Sequence, residues 1–293
     1  MELADLRTVR AVAHAGTMTG AAAALATVQS NVTARVRSLE RELSVCLFDR
    51  HSRGVSPTVA GQQLVGYADR ILQLVEEAER AVRDDGHPRG TLRLGSLETT
   101  ASLRLPPVLT AYMARYPDVD LVLRTGTTAE LVAEVAERRL DAALVAGPVG
   151  HPSLAGEAMV VEELVVVTHP AVRDVEAFLD GAAEVKLVLF RRGCSYRERL
   201  ERYLGPRTRA PLRVVELGTL DGILGCVGAG LGLTALPRAV AASHAERGSV
   251  RLHRLPSSLA RAETLLVRHR DAYVPSSLAR LADCFREVIT AAA

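Results

Sequence analysis

Residues 22–40 read Ala22-Ala-Ala-Leu-Ala-Thr-Val-Gln-Ser-Asn-Val-Thr-Ala-Arg-Val-Arg-Ser-Leu-Glu40, and this stretch decides the fold of the amino-terminal region. Apolar residues repeat after four, three and four positions, which is the spacing of one face of an α-helix. They are Val32, Val36, Leu39 and Leu43. An alanine-rich helix over Ala21–Ala26 precedes them, so the pattern predicts two helices joined by a tight turn. Thr19 and Thr27 are expected to cap the two helices by accepting hydrogen bonds from first-turn amides.

The second helix has a polar and basic face opposite its apolar one. At about 100° per residue, this face carries Ser30, Ala34, Arg37 and Arg41, with Asn31 and Thr33 at its edges. Gln29 lies in the first turn, where the recognition helix of a helix-turn-helix protein meets base edges. The two helices therefore predict binding in the major groove of double-stranded DNA.

The segment from Leu6 to Pro57 resembles the winged helix-turn-helix of LysR-type transcriptional regulators. The matching residues are Leu6-Arg-Thr-Val-Arg-Ala-Val-Ala13, Gly16-Thr-Met-Thr-Gly-Ala-Ala22, Val28-Gln-Ser30, Leu39-Glu-Arg-Glu-Leu43, Leu47-Phe-Asp-Arg50 and Arg53-Gly54. The rest of the chain fits the family's effector-binding region in length and element order. The resemblance implies a winged helix-turn-helix, a long linker helix and a periplasmic-binding-protein-like (type II) α/β domain of two doubly wound subdomains.

Residues Val45–Ser56 predict a β-hairpin, the wing, with Arg50–Gly54 at its tip. Arginines at such a tip can contact phosphates or enter the minor groove, where the negative potential favours guanidinium groups. A solvated surface turn is the alternative interpretation. The residues expected to contact DNA are Thr27, Gln29, Ser30, Thr33, Ala34, Arg37, Arg50 and Arg53.

Charge is distributed unevenly, although the whole chain carries a formal net charge of only +2. Residues 1–60 contain seven Arg against five acidic residues, and residues 61–85 contain three Arg against six acidic residues. The surface that meets DNA is therefore expected at the amino-terminal end and not in the acidic segment that follows.

Cysteine and histidine spacing argues against a metal or disulfide scaffold. The four cysteines have no CxxC spacing and the eight histidines no HxxxH or HExxH pattern, so no metal or other cofactor is expected. The sequence begins without a signal peptide, and no apolar run approaches the roughly twenty residues that cross a bilayer. We expect a cytoplasmic protein without a membrane partner.

A long helix is predicted from Thr58 to about Asp84. Its apolar residues alternate steps of four and three, as in a coiled-coil seam, and no following helix covers them. The expected dimer contacts are Leu64, Ala68, Ile71, Val75 and Ala78, with Val82 next in the series. A homodimer is favoured, and burial in the downstream domain is the alternative. Two recognition helices would then read an interrupted palindrome with half-sites ~34 Å apart or a multiple of it. The resemblance implies that dimers assemble into homotetramers, and RNA polymerase is a candidate further partner.

Asp85-Gly-His-Pro-Arg-Gly90 marks a boundary between domains. After it strands and helices alternate, which predicts parallel sheets covered by helices on both faces, with one helix over Leu103–Tyr116. The family precedent places the crossings between subdomains near Glu162–Glu163 and Ala262–Thr264. The expected domains are 1–57 for DNA binding, 58–89 for the linker and 90–293 for effector binding, the last divided into subdomain I (90–161 and 265–293) and subdomain II (162–264).

Ligands of parallel sheets bind beyond the carboxyl ends of the strands, at helix N-termini. Four such ends are rich in hydroxyl groups here, and these groups together with backbone amides suit a carboxylate or similar anion. The candidate effector-binding residues are Ser96, Thr99, Thr100, Thr127, Cys194, Ser195 and Thr219. Helix capping is the alternative role of the Ser and Thr residues. Arg197 is expected either to pair with the anion or to stay solvated.

Three other functions compete with a metabolite-responsive regulator. Cys194 stands at a predicted helix N-terminus beside Arg191, Arg192 and Arg197, which would favour its thiolate and a redox- or electrophile-sensing role. An α/β enzyme is disfavoured, because the chain has neither a GxSxG nucleophile elbow nor a GxxxxGK[ST] phosphate loop. A solute-binding protein would leave residues 1–85 unexplained. Salt-dependent binding to the chain's own upstream DNA separates a regulator from the last two.

Overall fold

The computed structural model describes residues 1–52 and 54–291, so Arg53 lies outside the described residues. The chain divides into two compact units, Met1–Arg83 and Asp84–Ala293. Within the described ranges, no helix combines the length and the apolar character needed to span a bilayer.

The first unit is a helix-turn-helix followed by a hairpin and a long helix. Its elements are α1 (Leu3–Ala15), α2 (Met18–Ala24), α3 (Gln29–Leu43), β1 (Phe48–His51), β2 (Gly54–Pro57) and α4 (Val59–Arg83). The apolar face predicted for the second helix forms the centre of the core. The buried residues of this core include Val9, Val12, Ala21, Val32, Val36, Leu39 and Leu47.

The first helix of the pair begins earlier than predicted. The N-cap of α2 is Thr17, whose Oγ1 accepts the N–H of Gly20 at 3.0 Å, so the predicted cap at Thr19 is wrong. The reason is the tightness of the preceding turn. Gly16 ends α1 in the left-handed conformation (φ 64°), and the next residue is already extended and able to cap a new helix.

Thr27 does not cap α3 either. Its N–H donates to the carbonyl of Ala22 at 2.9 Å, after Ala26 has turned the chain with a φ of 50°. Thr27 therefore closes α2, and the extended Val28 is the N-cap of α3 without a side-chain hydrogen bond. The Thr27 hydroxyl instead accepts a hydrogen bond from Asn31 Nδ2 at 3.2 Å.

The wing is the hairpin of β1 and β2, as predicted. It is fastened to the turn between α1 and α2, because the N–H of Val55 donates to the carbonyl of Gly16 at 2.7 Å. Gly54 permits this approach: its φ is 134°, and a Cβ at this position would lie 2.5 Å from the Gly16 carbonyl oxygen.

The apolar seam predicted on α4 is not left open along its whole length. Ala68 and Leu72 are buried against Leu6 of α1, and Leu64 and Ile71 pack against the same cluster. Ala68 is fully buried, so it has no surface to offer to another chain. The first half of the predicted seam is covered by α1, which comes earlier in the chain, and not by a following helix. The large apolar residues of α4 that remain exposed are Val59, Tyr67, Leu74 and Val82.

The second unit alternates strands and helices. Its strands are β3 (Gly90–Ser96), β4 (Val119–Thr125), β5 (Ala142–Ala146), β6 (Leu154–Thr168), β7 (Val185–Leu189), β8 (Leu212–Glu216), β9 (Thr234–Pro237), β10 (Arg251–Arg254) and β11 (Arg261–His269). Its helices are α5 (Glu98–Leu103), α6 (Leu105–Arg115), α7 (Thr128–Ala136), α8 (Val175–Gly181), α9 (Ser195–Leu204), α10 (Leu220–Gly228), α11 (Arg238–Glu246), α12 (Ser257–Ala260) and α13 (Ser276–Ala291).

The main sheet has the order β10-β6-β11-β5-β3-β4, with β9 also paired to β6, and β7 and β8 form a separate parallel pair. β3 is parallel to β4 and β5. The prediction of purely parallel sheets is nevertheless wrong, because β11 is antiparallel to β5 and β6, and β6 is antiparallel to β9 and β10. The two long strands β6 and β11 run side by side in opposite directions.

β6 changes its partners along its length. Leu154–Glu163 pair with β11, and Leu164–Thr168 pair with β9 and β10. This change occurs where the sequence places the first crossing between subdomains, and Glu162 pairs there with Ala262 of β11. One apolar cluster contains residues from both sides of the crossing, so the two halves of this unit share a core.

The helix predicted over Leu103–Tyr116 is two helices, α5 and α6. They meet at Arg104, and α6 has proline in its first turn, where a missing N–H leaves no hydrogen bond unmade. Inside one continuous helix the same prolines would interrupt the hydrogen-bond ladder, so a second helix begins here. The short α12 carries no pattern that the sequence analysis detected. The predicted fold class is otherwise the observed one.

Candidate DNA-binding surface and effector cleft

The outer face of α3 is open to solvent, because Val32, Val36 and Leu39 fix its opposite face in the core. The predicted DNA-contacting residues of this region share that outer face. Thr27, Gln29, Ser30, Ala34 and Arg37 are exposed, and Thr33 is half-buried. Arg50 is exposed in β1, and Arg53 lies outside the described residues.

The cations of this surface differ in how they are held. Arg35 donates to Asp5 of α1 at 2.9 Å, so its charge is already paired. Arg41 Nε donates to the carbonyl of Arg37 at 3.3 Å. Across residues 1–52 and 54–291, Arg37 and Arg50 enter no ion pair, which leaves both guanidinium groups available to phosphates.

Glu40 holds the wing against α3. Its Oε1 accepts the N–H of Leu47 at 2.8 Å and that of Phe48 at 3.3 Å, at the start of the hairpin. Leu47 and Phe48 are buried in the core of the same unit. Glu40 therefore joins α3 and the wing into one surface, and sequence reasoning missed this contribution.

A small cavity of about 40 Å³ lies in the second unit, where strand ends meet the first turns of α5, α7 and α9. Three of the predicted effector-binding residues line it, namely Thr99, Thr127 and Cys194. The further lining residues are Leu97, Glu98, Thr125, Gly126, Phe190, Arg191, Tyr196 and Gly218. In the described part of the chain, no group of three or more His, Cys, Asp or Glu could hold a metal ion.

The other four predicted residues do not line the cavity. Ser96 and Thr100 are buried, and Ser195 is half-buried at the start of α9. Thr219 is exposed and caps α10, where its Oγ1 accepts a first-turn N–H at 3.3 Å. The alternative of helix capping is therefore the observed role of Thr219.

Thr99 and Tyr196 are buried residues that line the cavity, and each carries a hydroxyl group. Thr99 is 3% exposed, and its Oγ1 has no hydrogen-bond partner with acceptable distance and angles among the described residues. The Tyr196 hydroxyl lies close by, and burial raises the pKa of Tyr196, so this phenol stays protonated. Sequence reasoning passed over Tyr196, although it stands in the hydroxyl-rich segment that begins α9.

Thr127 has two roles. Its Oγ1 accepts the N–H of Glu130 at 3.3 Å, and Glu130 Oε2 accepts the N–H of Thr127 at 2.9 Å, which is a capping box at the start of α7. The hydrogen bond from the Thr127 amide, followed by that from its hydroxyl, holds the pKa of Glu130 below its usual range, against the opposing effect of burial. A group that caps a helix thus also forms part of the cavity wall.

Neither predicted role of Arg197 holds. Its side chain is 9% exposed, and it donates to Glu201 at 2.9 Å and to Glu216 at 2.8 Å. With two carboxylates already bound, this guanidinium joins α9 to β8 and has no open side for an effector.

The thiolate predicted at Cys194 is also not favoured. Cys194 is 6% exposed, and burial raises the pKa of its thiol more than the nearby amides of Arg197 and Tyr196 lower it. Desolvation outweighs the helix N-terminus at this position. Cys194 is a neutral, apolar part of the cavity wall.

Two arginines fasten helices to the crossing strands near the cavity. Arg104 forms a two-point pair with Glu162 of β6, with nitrogen–oxygen distances of 2.9 and 3.0 Å. Arg199 of α9 donates to the carbonyls of Gly147 at 3.0 Å and Arg261 at 2.8 Å. These contacts join the α5–α6 junction to β6, and α9 to β11 and the segment at Gly147.

Each of the two units matches a known protein family. Residues 3–62 match the family described as bacterial regulatory helix-turn-helix protein, lysR family, and residues 85–290 match the LysR substrate binding domain. The chain is 40% identical over 291 residues to the uncharacterized HTH-type transcriptional regulator YusT of Bacillus subtilis, covering 99% of this chain and 97% of that protein. It is 39% identical over 281 residues to the regulator GltR of the same species, covering 95% and 94%.

A solved structure extends the likeness to the whole fold. Full-length CbnR, a LysR family regulator solved with its target DNA, superposes with a TM-score of 0.68 at 23% identity and covers 98% of this chain and 99% of that one. The order of a winged helix-turn-helix, a long helix and an α/β effector domain is thus shared from end to end. Because family matches cover both units and curated relatives near 40% identity cover almost the whole chain, this protein belongs to the LysR family of helix-turn-helix transcriptional regulators.

Proposed function

We propose that the chain binds an interrupted palindromic promoter site on double-stranded DNA through paired α3–wing surfaces. The observation that carries this proposal is the solvent-open face of α3, held in fixed position beside the wing by Glu40. CbnR, which shares the fold, was solved with its target DNA. The residues proposed to meet base edges are Gln29, Ser30 and Thr33, with Thr27 and Ala34 beside them, and those proposed to meet phosphates are Arg37, Arg50 and Arg53.

A binding titration with the chain's own upstream DNA tests this proposal. We expect a complex whose affinity falls steeply as salt rises, because each phosphate contact releases condensed counterions. A scrambled duplex of equal length is the control. Equal affinity for both duplexes at every salt concentration would contradict sequence-specific regulation.

We also propose that the cavity of the second unit binds a small anionic effector. The buried, poorly bonded hydroxyl of Thr99 and the guanidinium of Arg191 both face it. Its volume of about 40 Å³ holds only a few water molecules, so a larger metabolite requires the two halves of the unit to move apart. Such a ligand changes the balance of conformations only by its differential affinity for them. A rise in the melting temperature of the full chain with candidate metabolites is the measurement.

Dimerisation through α4 is the third part of the proposal, with a seam that differs from the one expected from sequence. Leu64 and Ala68 pack inside the unit, while Tyr67, Leu74 and Val82 are exposed. Ala78 is also exposed, and the half-buried Ile71 stands between Tyr67 and Leu74, so that the five positions follow one another in a row with steps of four and three. We propose that this row joins two chains, with Val75 half-buried at its edge. Dimers would assemble into homotetramers, and RNA polymerase is a candidate partner.

The remaining expectations follow from the family. A DNA-binding regulator acts where the chromosome lies, so we propose a cytoplasmic protein without a membrane partner. We also propose that it catalyses no reaction and needs no cofactor beyond its effector. Any ligand that raises the melting temperature can be incubated with the protein and analysed for chemical conversion, which would test this point.

A further inference from the structure

Glu130 and Arg191 face each other across the mouth of the cavity. Glu130 stands in the first turn of α7, and Arg191 in the loop between β7 and α9. Arg191 Nη1 lies 3.6 Å from Glu130 Oε1, and the two side chains are 59% and 45% exposed. Of the residues that line the cavity in the described structure, Arg191 is the basic one. This pair is the only ion pair that Arg191 makes within residues 1–52 and 54–291.

The Glu130 carboxylate is folded back onto the cavity wall. Its Oε2 accepts the N–H of Thr127 at 2.9 Å, and it lies 3.2 Å from where a Cβ of Gly126 would stand. Both Gly126 and Thr127 line the cavity. A backbone N–H and a guanidinium group are the donors that a bound carboxylate or other anion uses. The protein's own carboxylate thus occupies the contacts that a foreign anion would need.

The same two segments touch through their backbones. The N–H of Ala129 donates to the carbonyl of Gly193 at 3.2 Å. Gly193 has a φ of 89°, and a Cβ added there would lie 2.7 Å from that of Ala129, so no space remains between α7 and the loop. This side of the cavity is closed by the contact between α7 and the loop. The Glu130–Arg191 pair is exposed and long, and such pairs are weak enough to exchange with a competing ion.

We propose that Arg191 is the residue that selects the anionic group of the effector, and that Glu130 is a built-in competitor for it. The effector's anion takes the guanidinium from Glu130, and this exchange releases the first turn of α7 from the loop at 191–193. The proposal rests on the proposed effector function of this cavity. It adds the residue that sets the charge requirement and the residue that sets the concentration threshold.

Three variants separate these roles. Glu130→Gln removes the competing charge while Gln still completes a capping box, so α7 keeps its start. Arg191→Gln removes the selecting cation. Arg192→Gln is the matched control, because Arg192 is the exposed neighbour and does not line the cavity.

The experiment titrates the full chain at constant ionic strength with succinate, glutarate and citrate, each paired with its neutral amide, and follows melting temperature and heat of binding. We expect at least one carboxylate to bind while its amide does not. Glu130→Gln should bind that carboxylate about two- to fivefold more tightly, the factor that an exposed ion pair supplies. Arg191→Gln should bind it at least about tenfold more weakly, because it loses a charged hydrogen-bond donor. Arg192→Gln should match the unchanged protein.

Hydrogen exchange without any ligand gives an independent readout. The Ala129 amide should exchange faster in Glu130→Gln and Arg191→Gln than in Arg192→Gln, since both variants lose the ion pair beside that hydrogen bond. Unchanged exchange, binding of no carboxylate in the series, or equal binding by Arg191→Gln would each overturn the inference. Promoter binding is measured for every variant: if it persists, the regulator proposal stands without this inference, and if it is absent from the unchanged protein, the regulator proposal fails first.

Discussion

The two functional regions of this protein present their polar groups in opposite ways. On the α3 surface, Arg37 and Arg50 project into solvent without ion pairs among the described residues, and Gln29 stands free in the first turn. In the cleft, Thr127 is bonded to Glu130 and Arg191 is paired with it. The proposed DNA-binding surface therefore has open cations, whereas in the proposed cleft both Arg191 and the Thr127 amide are already held by Glu130.

This difference fits the ligand proposed for each region. Duplex DNA is a large polyanion, and a rigid surface with free cations meets it without rearrangement. A small ligand enters a space enclosed by protein, where donors left without partners would cost stability.

Leu72→Ala should lower the stability of the fold and Leu74→Ala should weaken the dimer, although the two residues are close neighbours on α4. Leu72 is 2% exposed and packs with Leu6, so its truncation should lower the free energy of unfolding by about 2–5 kcal/mol. Leu74 is 47% exposed and should weaken the dimer while leaving the fold of the single chain intact. Thermal denaturation and sedimentation distinguish the two effects. A fully dimeric Leu74→Ala variant would refute the proposed seam.

Glu40→Ala should loosen the rigid α3–wing surface. Two backbone N–H groups at the start of the hairpin lose their acceptor, at a cost of about 1–3 kcal/mol for buried groups. We expect a lower melting temperature and weaker binding to every DNA sequence. Glu42→Ala is the control, since the ion pair that this exposed carboxylate forms within the described residues is with the amino terminus, at 2.7 Å. Equal DNA binding by both variants would show that the wing needs no anchor at Glu40.

Gln29→Ala should relax specificity without abolishing binding. A glutamine in the major groove can bond adenine through two hydrogen bonds, worth about 1–3 kcal/mol against a wrong base. We expect discrimination to fall at one base position in each half-site, measured by binding to a series of single-base operator variants. An unchanged profile at all positions would place Gln29 away from the base edges.

Arg50→Ala should weaken binding to all DNA sequences alike. Its exposed guanidinium is proposed to meet a phosphate, so the slope of log affinity against log salt should fall by about one unit. Arg35→Ala is a useful comparison, because that charge is paired with Asp5 at 2.9 Å and should contribute less. A loss confined to one operator sequence would instead assign Arg50 to base reading.

Glu130→Gln should slightly reduce the loss of melting temperature that occurs as the pH falls. The pKa of Glu130 is held below its ordinary value of 4.5, so its contribution is full above that value and is lost as the pH falls through the lowered one. The unchanged protein should therefore lose melting temperature more steeply than the variant between about pH 5 and 3. Because the group is half exposed, the difference should be small. Parallel curves would mean that Glu130 has no stabilising partner.

Sequence reasoning succeeded where a pattern is local. The steps from Val32 to Leu39 determine one face of α3, and the hairpin after it is set by nearby turn residues, so both could be found without the structure. The strand ends that form the cleft were also found, because helix starts carry recognisable hydroxyl residues. Each of these signals lies within about a dozen residues of chain.

The rest depends on segments that are distant in sequence. Ala68 was assigned to the dimer seam although α1 covers it, and no pattern within α4 records this. Arg197 was expected to be open to an effector or to solvent, because its partner Glu216 lies on β8, 19 residues further along the chain. The antiparallel course of β6 and β11 likewise appears only when residues a hundred positions apart are paired.

That strand pair has a mechanical consequence. Leu154–Glu163 of β6 and Arg261–His269 of β11 are joined by a continuous ladder, with one irregularity between Thr264 and Leu265. Where Val161–Glu163 meet Arg261–Glu263, neither strand pairs with a third one among the described residues, so the sheet narrows to two strands there. Sliding would break the rungs of such a ladder together, whereas its twist can change while the rungs stay paired. If an effector moves the two halves of this domain, we predict a rotation about these two strands and not a sliding along them.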